Sequence, residues 1–307
     1  MTAKIVVAGS FNMDLTSYMV RMPRPGETLS GERFVTGPGG KGSNQAVAAA
    51  RLAADVTFVG RVGNDTFGDQ AIALWTREAI NTQYVIRDAD ASTGVAPIWV
   101  ETTSGQNAIV VVLGANLALS REDVDAAAEA IARADLLVTQ LEINLETAAY
   151  ALRLARQSGV RTILNPAPAA PISQEMLLSA DFITPNETEL EVLSRASLDD
   201  LDAAARTLIR RDDQTVIVTL GEAGARIVTA TDSQHVDGFR VQALDTTGAG
   251  DCFTGALAVA LGEQQPLAEA VRFACAAAAL CVTRHGTAPA MPTRDEVLAL
   301  LARSATA

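Results

Sequence analysis

Lysine is almost missing from this chain, with Lys4 and Lys41 alone among its 24 basic residues. Acidic residues number 36, and the net charge of -12 leaves no general positive field to attract a phosphate backbone or an anionic membrane. The expectation is no nucleic-acid partner and no membrane partner, so any phosphate site must be local. Cysteine is also scarce. Cys252, Cys275 and Cys281 lie in apolar surroundings without a C-x-x-C pair, which indicates reduced core thiols rather than a disulfide framework or a zinc site. With aromatics at 4%, the two tryptophans, Trp75 and Trp99, are expected to pack rather than to serve as stacking platforms. Long hydrophobic runs are absent: the most apolar stretch, Phe273 to Val282, is shorter than a bilayer span and is flanked by Arg272 and Arg284. The N-terminus enters K-I-V-V-A-G with no basic leader. These features imply a cytoplasmic protein, in which Asn64-Asp65-Thr66 and Asn186-Glu187-Thr188 carry no meaning as glycosylation signals.

What is present is core material. At 49% hydrophobic over 307 residues the chain can bury a large interior. Ile5 to Ala8 reads as a buried parallel strand delivering Ser10 to Asp14 to a strand end, where α/β proteins place ligands. From Tyr18 to Gly37 the proline- and glycine-rich chain makes an excursion from the main sheet. A helix at 43–53, a strand at 56–59 and a helix at 66–79 follow. Val95 to Val100 and Ala108 to Leu113 read as a hairpin that joins the excursion at 15–37 in a small β appendage. The pattern then alternates: helix 121–133, strand 136–140, helix 145–158, strands 161–164 and 181–184, helices 187–194 and 200–211, strand 215–220. Alternation of this kind means a parallel sheet covered on both faces. Further strands are expected at 226–230 and near 239–241, and the C-terminal third is helical. His235 and His285 read as loop residues.

Two short motifs are decoys. Gly37 to Gly42 satisfies G-x-G-x-x-G but follows a β excursion rather than a βαβ strand, and Lys41 is followed by Gly42 instead of the Ser or Thr of a Walker loop. What survives is a glycine turn entering a helix with one lysine, a polar-ligand site. Asn12 and Asp14 occupy alternate positions and point the same way in an extended chain, an arrangement suited to vicinal hydroxyls, or to an Asx turn. Glu142 follows strand 136–140 and is either a ligand group or a helix-start acid. Asn186 and Glu189 form N-x-x-E at a helix start, either a cap or an outer shell for Mg²⁺ and its waters. Thr219-Leu220-Gly221, with Gly224 close behind, ends another strand and is either a nucleotide edge or an ordinary strand-to-turn glycine pair.

Asp245 to Asp251 reads D-T-T-G-A-G-D and leads into the apolar run 252–261. Glycines opening a helix concentrate unpaired N–H groups and the positive end of its dipole, which suits a transferring phosphate. Asp251 beside that point cannot help to bind an anion. It reads as a proton acceptor for the attacking group, or as an ordinary cap.

Taken together, Gly9 to Asp14, Gly39-Gly40-Lys41-Gly42-Ser43-Asn44-Gln45-Ala46, Gly114-Ala115-Asn116, Gln140-Leu141-Glu142, Asn165-Pro166-Ala167-Pro168, Thr184 to Glu189 and D-T-T-G-A-G-D resemble the ribokinase branch of the PfkB carbohydrate kinase family. The resemblance implies a three-layer, mainly parallel α/β sheet with helices on both faces, in one domain of residues 1–307, with a β-sheet lid from about 15–37 and 94–114. It implies transfer of the ATP γ-phosphoryl group to O5 of D-ribose. Asn12, Asp14, Gly40, Lys41, Gly42, Ser43, Asn44 and Glu142 would hold the sugar, and Asp251 would take its proton. The backbone of Gly248, Ala249 and Gly250 would form an anion hole. Asn186 and Glu189 would serve the Mg·ATP end. Thr219, Leu220, Gly221, Glu222, Ala223, Gly224, Gly250 and Cys275 would hold the nucleotide. A K⁺ site would use Asp245, Thr247 and main-chain oxygens near Cys281, Arg284 and Gly286, with Ala290 where a serine hydroxyl often ligates. A homodimer through the lid is implied. Kinases for fructose, 2-keto-3-deoxygluconate or a nucleoside, and a silent sugar-binding regulator, are the competing readings.

Overall fold

A computed structural model describes residues 2–304. Its strands are β1 (Lys4–Ala8), β2 (Asn12–Met19), β3 (Arg33–Gly39), β4 (Asp55–Gly63), β5 (Asn81–Asp88), β6 (Gly94–Glu101), β7 (Asn107–Ile109), β8 (Leu136–Thr139), β9 (Arg161–Leu164), β10 (Phe182–Ile183), β11 (Thr215–Thr219), β12 (Ala225–Val228) and β13 (Ser233–Val236). The helices are α1 (Lys41–Arg51), α2 (Thr66–Arg77), α3 (Arg121–Ala126), α4 (Ala128–Ala132), α5 (Leu145–Gln157), α6 (Gln174–Ser179), α7 (Glu187–Ser194), α8 (Leu201–Arg206), α9 (Ala249–Gly262), α10 (Leu267–Cys281) and α11 (Arg294–Ser304).

Among the described residues nine strands form one sheet, in the order β13-β12-β11-β10-β9-β8-β1-β4-β5. All its pairings are parallel except those that add β12 and β13. Alternate side chains divide between two cores. Ile5 and Val7 of β1 join α1, α9 and α10 on one face, while Val6 and Ala8 join α5 and its neighbours on the other. Strands buried on both faces must be apolar throughout, as K-I-V-V-A and L-L-V-T are. The small sheet runs β3-β2-β6-β7, with β2 antiparallel to β3 and parallel to β6. The expected hairpin is present as β6 and β7, extended by a bridge from Val95 to Val112.

Several expectations shift. Helix 43–53 begins two residues earlier, which places Lys41 in its first turn. The single helix at 121–133 breaks at Ala127, whose N–H closes a tighter turn on the Val124 carbonyl. Helix 200–211 shortens to α8, because Asp200 is its N-cap and Thr207 turns its hydroxyl back onto the Ala204 carbonyl. Residues 239–241 are not a strand: the edge strand is β13, which includes His235, and the chain beyond it peels away from the sheet. Strand β5 was not anticipated, since half-exposed Asn81-Thr82-Gln83 hides its alternation. Trp75 packs as expected, stacked on Phe58 at 4.3 Å between centroids. Trp99 does not, being 36% exposed on the small sheet.

α1 and α9 meet backbone to backbone. A Cβ built on Gly255 would lie 2.6 Å from the Gln45 carbonyl oxygen and 2.8 Å from the Ala48 Cβ. Gly255→Val should therefore destabilise the protein by about 1–3 kcal/mol through overpacking. Gly250→Ala, on the same helix with nothing within 4 Å, should leave the midpoint unchanged or raised. Thermal and urea unfolding of both variants check this, and an unchanged midpoint for Gly255→Val would refute the close packing.

Candidate active site

Gly248 sets the start of α9 with φ 79, a left-handed conformation that side chains resist. Three residues on, Asp251 is buried, 6% exposed. Two neighbours on α1 hold it: Asn44 Nδ2 donates to Oδ2 at 2.9 Å and Gln45 Nε2 to Oδ1 at 3.1 Å. Burial pushes the Asp251 carboxyl above the usual carboxylate range, against the pull of the Lys41 charge and the two amides.

Glu142 gathers the carboxyl ends of β1 and β8. Its Oε2 accepts from Ser10 Oγ at 2.6 Å, from the Lys41 backbone N–H at 2.9 Å and from Asn12 Nδ2 at 3.3 Å. The carboxylate thus sits on the first turn of α1, where the helix dipole favours it. Asn12 is held in turn by Asn116, whose Nδ2 donates to its Oδ1 at 3.0 Å. Asp14 lies two residues along β2, on the same side as Asn12. Burial, then the charges of Glu142 and Asp251, raise its carboxyl to about 7. For Lys41, burial disfavours the ammonium, but the carboxylates of Asp251, Glu142 and Glu189 outweigh it and the pKa rises. One cation therefore sits among acids.

On the other side of Lys41 and Asp251 opens a cavity of about 1000 Å³. Its rim carries Asn186, Glu189, Thr219 and Gly221 to Gly224, its floor Gly248 to Gly250, and Cys275 lies in a largely apolar wall with Ala278 and Val282. Burial pushes the Cys275 thiol to about 12, so it lines the wall as a neutral group. Asn186 and Glu189 form a reciprocal capping box on α7, at 2.7 and 2.9 Å, while lining the cavity. The cap reading and the pocket reading thus coexist. Burial raises the Glu189 carboxyl above its ordinary range.

The model of the pfkB family of carbohydrate kinases matches residues 2–294 of this chain. The chain belongs to the pfkB family. A deoxyribokinase of Salmonella typhi is 42% identical over 296 residues, covering 95% of this chain and 96% of its own. A ribokinase of Haemophilus influenzae is 40% identical over 304 residues, covering 98% and 99%. The structure of Arabidopsis thaliana ribokinase complexed with ribose and ATP superposes with a TM-score of 0.89 at 34% identity, covering 98% of this chain and 99% of that one. The large, mostly parallel sheet and the separate small sheet match in kind those of ribokinase structures.

Not every expected residue of this pfkB-family chain reaches the site. Ser43 is fully buried and its hydroxyl accepts from Trp75 Nε1 at 3.0 Å, so it braces α1 against α2 instead. Gly42 packs its Cα on the Gly9–Ser10 backbone, and its N–H donates to Ser10 Oγ at 3.3 Å. Leu220 is absent from the cavity wall, because its side chain packs into the core beneath β11. Ala249 N–H makes a long bond of 3.3 Å to the Thr246 carbonyl. Asp245 does not stand open. Its carboxylate accepts from Thr247 N–H at 3.0 Å and Gly286 N–H at 2.9 Å, bonds that hold its pKa down against burial. The Cys281 carbonyl accepts the Arg284 N–H, and the Arg284 side chain pairs with Glu296. Thr287, next in this loop, donates its hydroxyl to the Pro38 carbonyl of the small sheet at 2.8 Å. Among the described residues no group of three or more His, Cys, Asp or Glu side chains is placed to hold a metal ion, and no helix is long and apolar enough to cross a membrane.

Gln45, Gln140, Asn165, Ser10 and Asn116 were not singled out, although each lies inside or beside a motif that was. Thr246 lies within the D-T-T-G-A-G-D motif but was given no role, and of the α10 wall only Cys275 was expected, because small and apolar residues there look like core.

Asp14 supplies a pH test. Its folded pKa of about 7 lies above the ordinary 3.8, so its contribution to stability is full below about pH 4 and is lost as pH rises through 7. Asp14→Asn should therefore lose less stability than the wild type between pH 5 and pH 8. Urea midpoints at the two pH values check this, and equal losses would mean that Asp14 titrates normally.

Proposed function

We propose that this chain is a cytoplasmic kinase that transfers the γ-phosphoryl group of ATP to O5 of D-ribose. The observation that carries the reading is the position of Asp251 between two unlike compartments. On one side stand Asn12, Asp14, Asn44 and Glu142, donors and acceptors suited to sugar hydroxyls. On the other lies a nucleotide-sized cavity with an apolar wall. The likeness to the Arabidopsis thaliana enzyme complexed with ribose and ATP supports the same pair of substrates.

In this reading Asp14 and Asn12 hold vicinal hydroxyls and the O5 hydroxyl lies against Asp251. As the O5–P bond forms and the bond from the γ phosphorus to the bridging oxygen of ADP breaks, Asp251 takes the hydroxyl proton. Negative charge growing on the phosphoryl oxygens is met by the N–H groups of Gly248 to Gly250 at the positive end of α9 and by the Lys41 ammonium. Asn186 and Glu189 are oxygen-bearing and line the cavity, and so fit the water shell of Mg²⁺, which would neutralise phosphate charge when bound. Asp245, Thr247 and the carbonyls near Cys281, Arg284 and Gly286 offer the charge and oxygens K⁺ takes, whereas Ala290 adds none. The small sheet acts as a lid over the sugar, limiting hydrolysis. Its two faces bear exposed apolar side chains, Val35 and Ile109 on one and Phe34 on the other, surface that fits a homodimer formed lid to lid.

A second reading, 2-deoxyribose as substrate, is favoured by the Salmonella typhi relative. The Asn12 and Asp14 pair favours ribose, because 2-deoxyribose lacks one of the vicinal hydroxyls it would hold. A coupled ADP assay across ribose, 2-deoxyribose, fructose, 2-keto-3-deoxygluconate and nucleosides should rank ribose first in kcat/KM, and any other ranking would overturn the choice. Asp251→Ala should lower kcat about 10²- to 10⁴-fold, with sugar binding retained by calorimetry. Near-normal turnover would remove its role as base. Sedimentation should show a dimer that Phe34→Asp with Ile109→Asp converts to monomer, and an unchanged mass would move the interface elsewhere.

A further inference from the structure

Three buried amides behind Asp251 form a chain whose orientation is fixed from one end. Asn165 Nδ2 donates to the main-chain carbonyl of Thr184 at 2.9 Å. A carbonyl only accepts, so the Asn165 amide has one possible sense, with Oδ1 turned toward α1. That oxygen requires a donor, and Gln45 Nε2 supplies it at 3.1 Å while donating also to Asp251 Oδ1 at 3.1 Å. Gln45 Oε1 must then face the other way, where Gln140 Nε2 donates to it at 2.6 Å. Gln45, Gln140 and Asn165 are each at most 5% exposed, so water does not compete for these partners. Gln140 Oε1 finds no hydrogen-bond partner among the described residues, a cost offset by the bond Gln140 Nε2 donates to Gln45 Oε1.

We propose that Asn165 and Gln140, acting through Gln45, are positioning residues for Asp251: the Thr184 carbonyl sets the sense of three successive amides, so that an N–H rather than a carbonyl oxygen faces Asp251 Oδ1. With Gln45 reversed, its Oε1 would oppose the carboxylate and rotate it off the line to the attacking hydroxyl. Asn44, bonded to Oδ2, cannot prevent this alone, because a single bond leaves the carboxylate free to turn. The charged groups around Asp251, namely Lys41, Glu142, Asp14 and Glu189, act through space and set no such orientation. The inference rests on reading Asp251 as the base.

The test pairs kinetics with a signal from the resting enzyme. Gln45→Met, of similar volume and without a donor, should lower kcat about 10- to 100-fold, with KM for sugar and ATP within about twofold of wild type. Asn165→Leu, which frees Gln45 to reverse, should give a smaller loss of kcat with the same unchanged KM values. In ¹H–¹⁵N spectra the Gln45 side-chain amide pair, assigned by its loss in Gln45→Met, should move on Asp251→Asn and on Asn165→Leu. If Gln45→Met does not fold, Asn165→Leu and Gln140→Met carry the kinetic readout, and the Gln45 amide pair is assigned instead through its own backbone resonances. A folded variant with kcat within about twofold of wild type, or an amide pair unmoved by Asp251→Asn, would overturn the proposal. A wild type inactive on every sugar, whose Gln45 resonances still respond, would instead overturn the kinase reading and uphold the amide chain.

Discussion

A carboxylate removed from water has to be given donors or it takes up a proton, and most of the local structure here answers that demand for Asp251. The residue sits at the start of a helix that is otherwise core, so its donors have to come from a second helix laid directly against the first. That is why the glycine turn at Gly39–Gly40 opens α1 where it does, and why consecutive Asn44 and Gln45 face α9 rather than solvent. A carboxyl with raised affinity for protons, held by amides and beside one ammonium, is the electrostatic setting a proton acceptor for a sugar hydroxyl requires.

The sheet brings these parts together without further invention. Asn12, Glu142, Asn165, Asn186 and Thr219 stand at or just beyond the carboxyl ends of β1, β8, β9, β10 and β11, so the order of strands becomes the order of groups along the cleft. This is the ligand rule for open α/β sheets, applied with a helix start on each side. The carbonyl of Thr184, just past β10, orients three successive amides in the interior.

The parts that were legible in the sequence were those whose chemistry depends on residue type. Continuous apolar runs announced β1 and β8, and the two glycine turns announced both helix starts. Asp14, Glu142 and Asp251 stood out because a charge at a strand or helix end needs a reason. Less visible were residues whose meaning lies in a partner distant along the chain. Ser43 looked like a ligand group until Trp75, 32 residues on, was seen to occupy its hydroxyl. Gln45 and Asn165, 120 residues apart, meet only in three dimensions. The strand expected near 239–241 has β-rich residues but no neighbour to pair with, since β13 takes the sheet edge.

The contact of Gly255 with the Gln45 carbonyl has a further consequence. Where helices are separated by side chains, their spacing follows the volumes of those side chains and drifts as a lineage replaces them. Here main chain bears on main chain, so the gap between Asp251 and its amides is set by atoms that every sequence shares. Exchange of leucine for valine or methionine in the surrounding core can change how firmly the protein holds together while leaving the ruler between base and amides untouched.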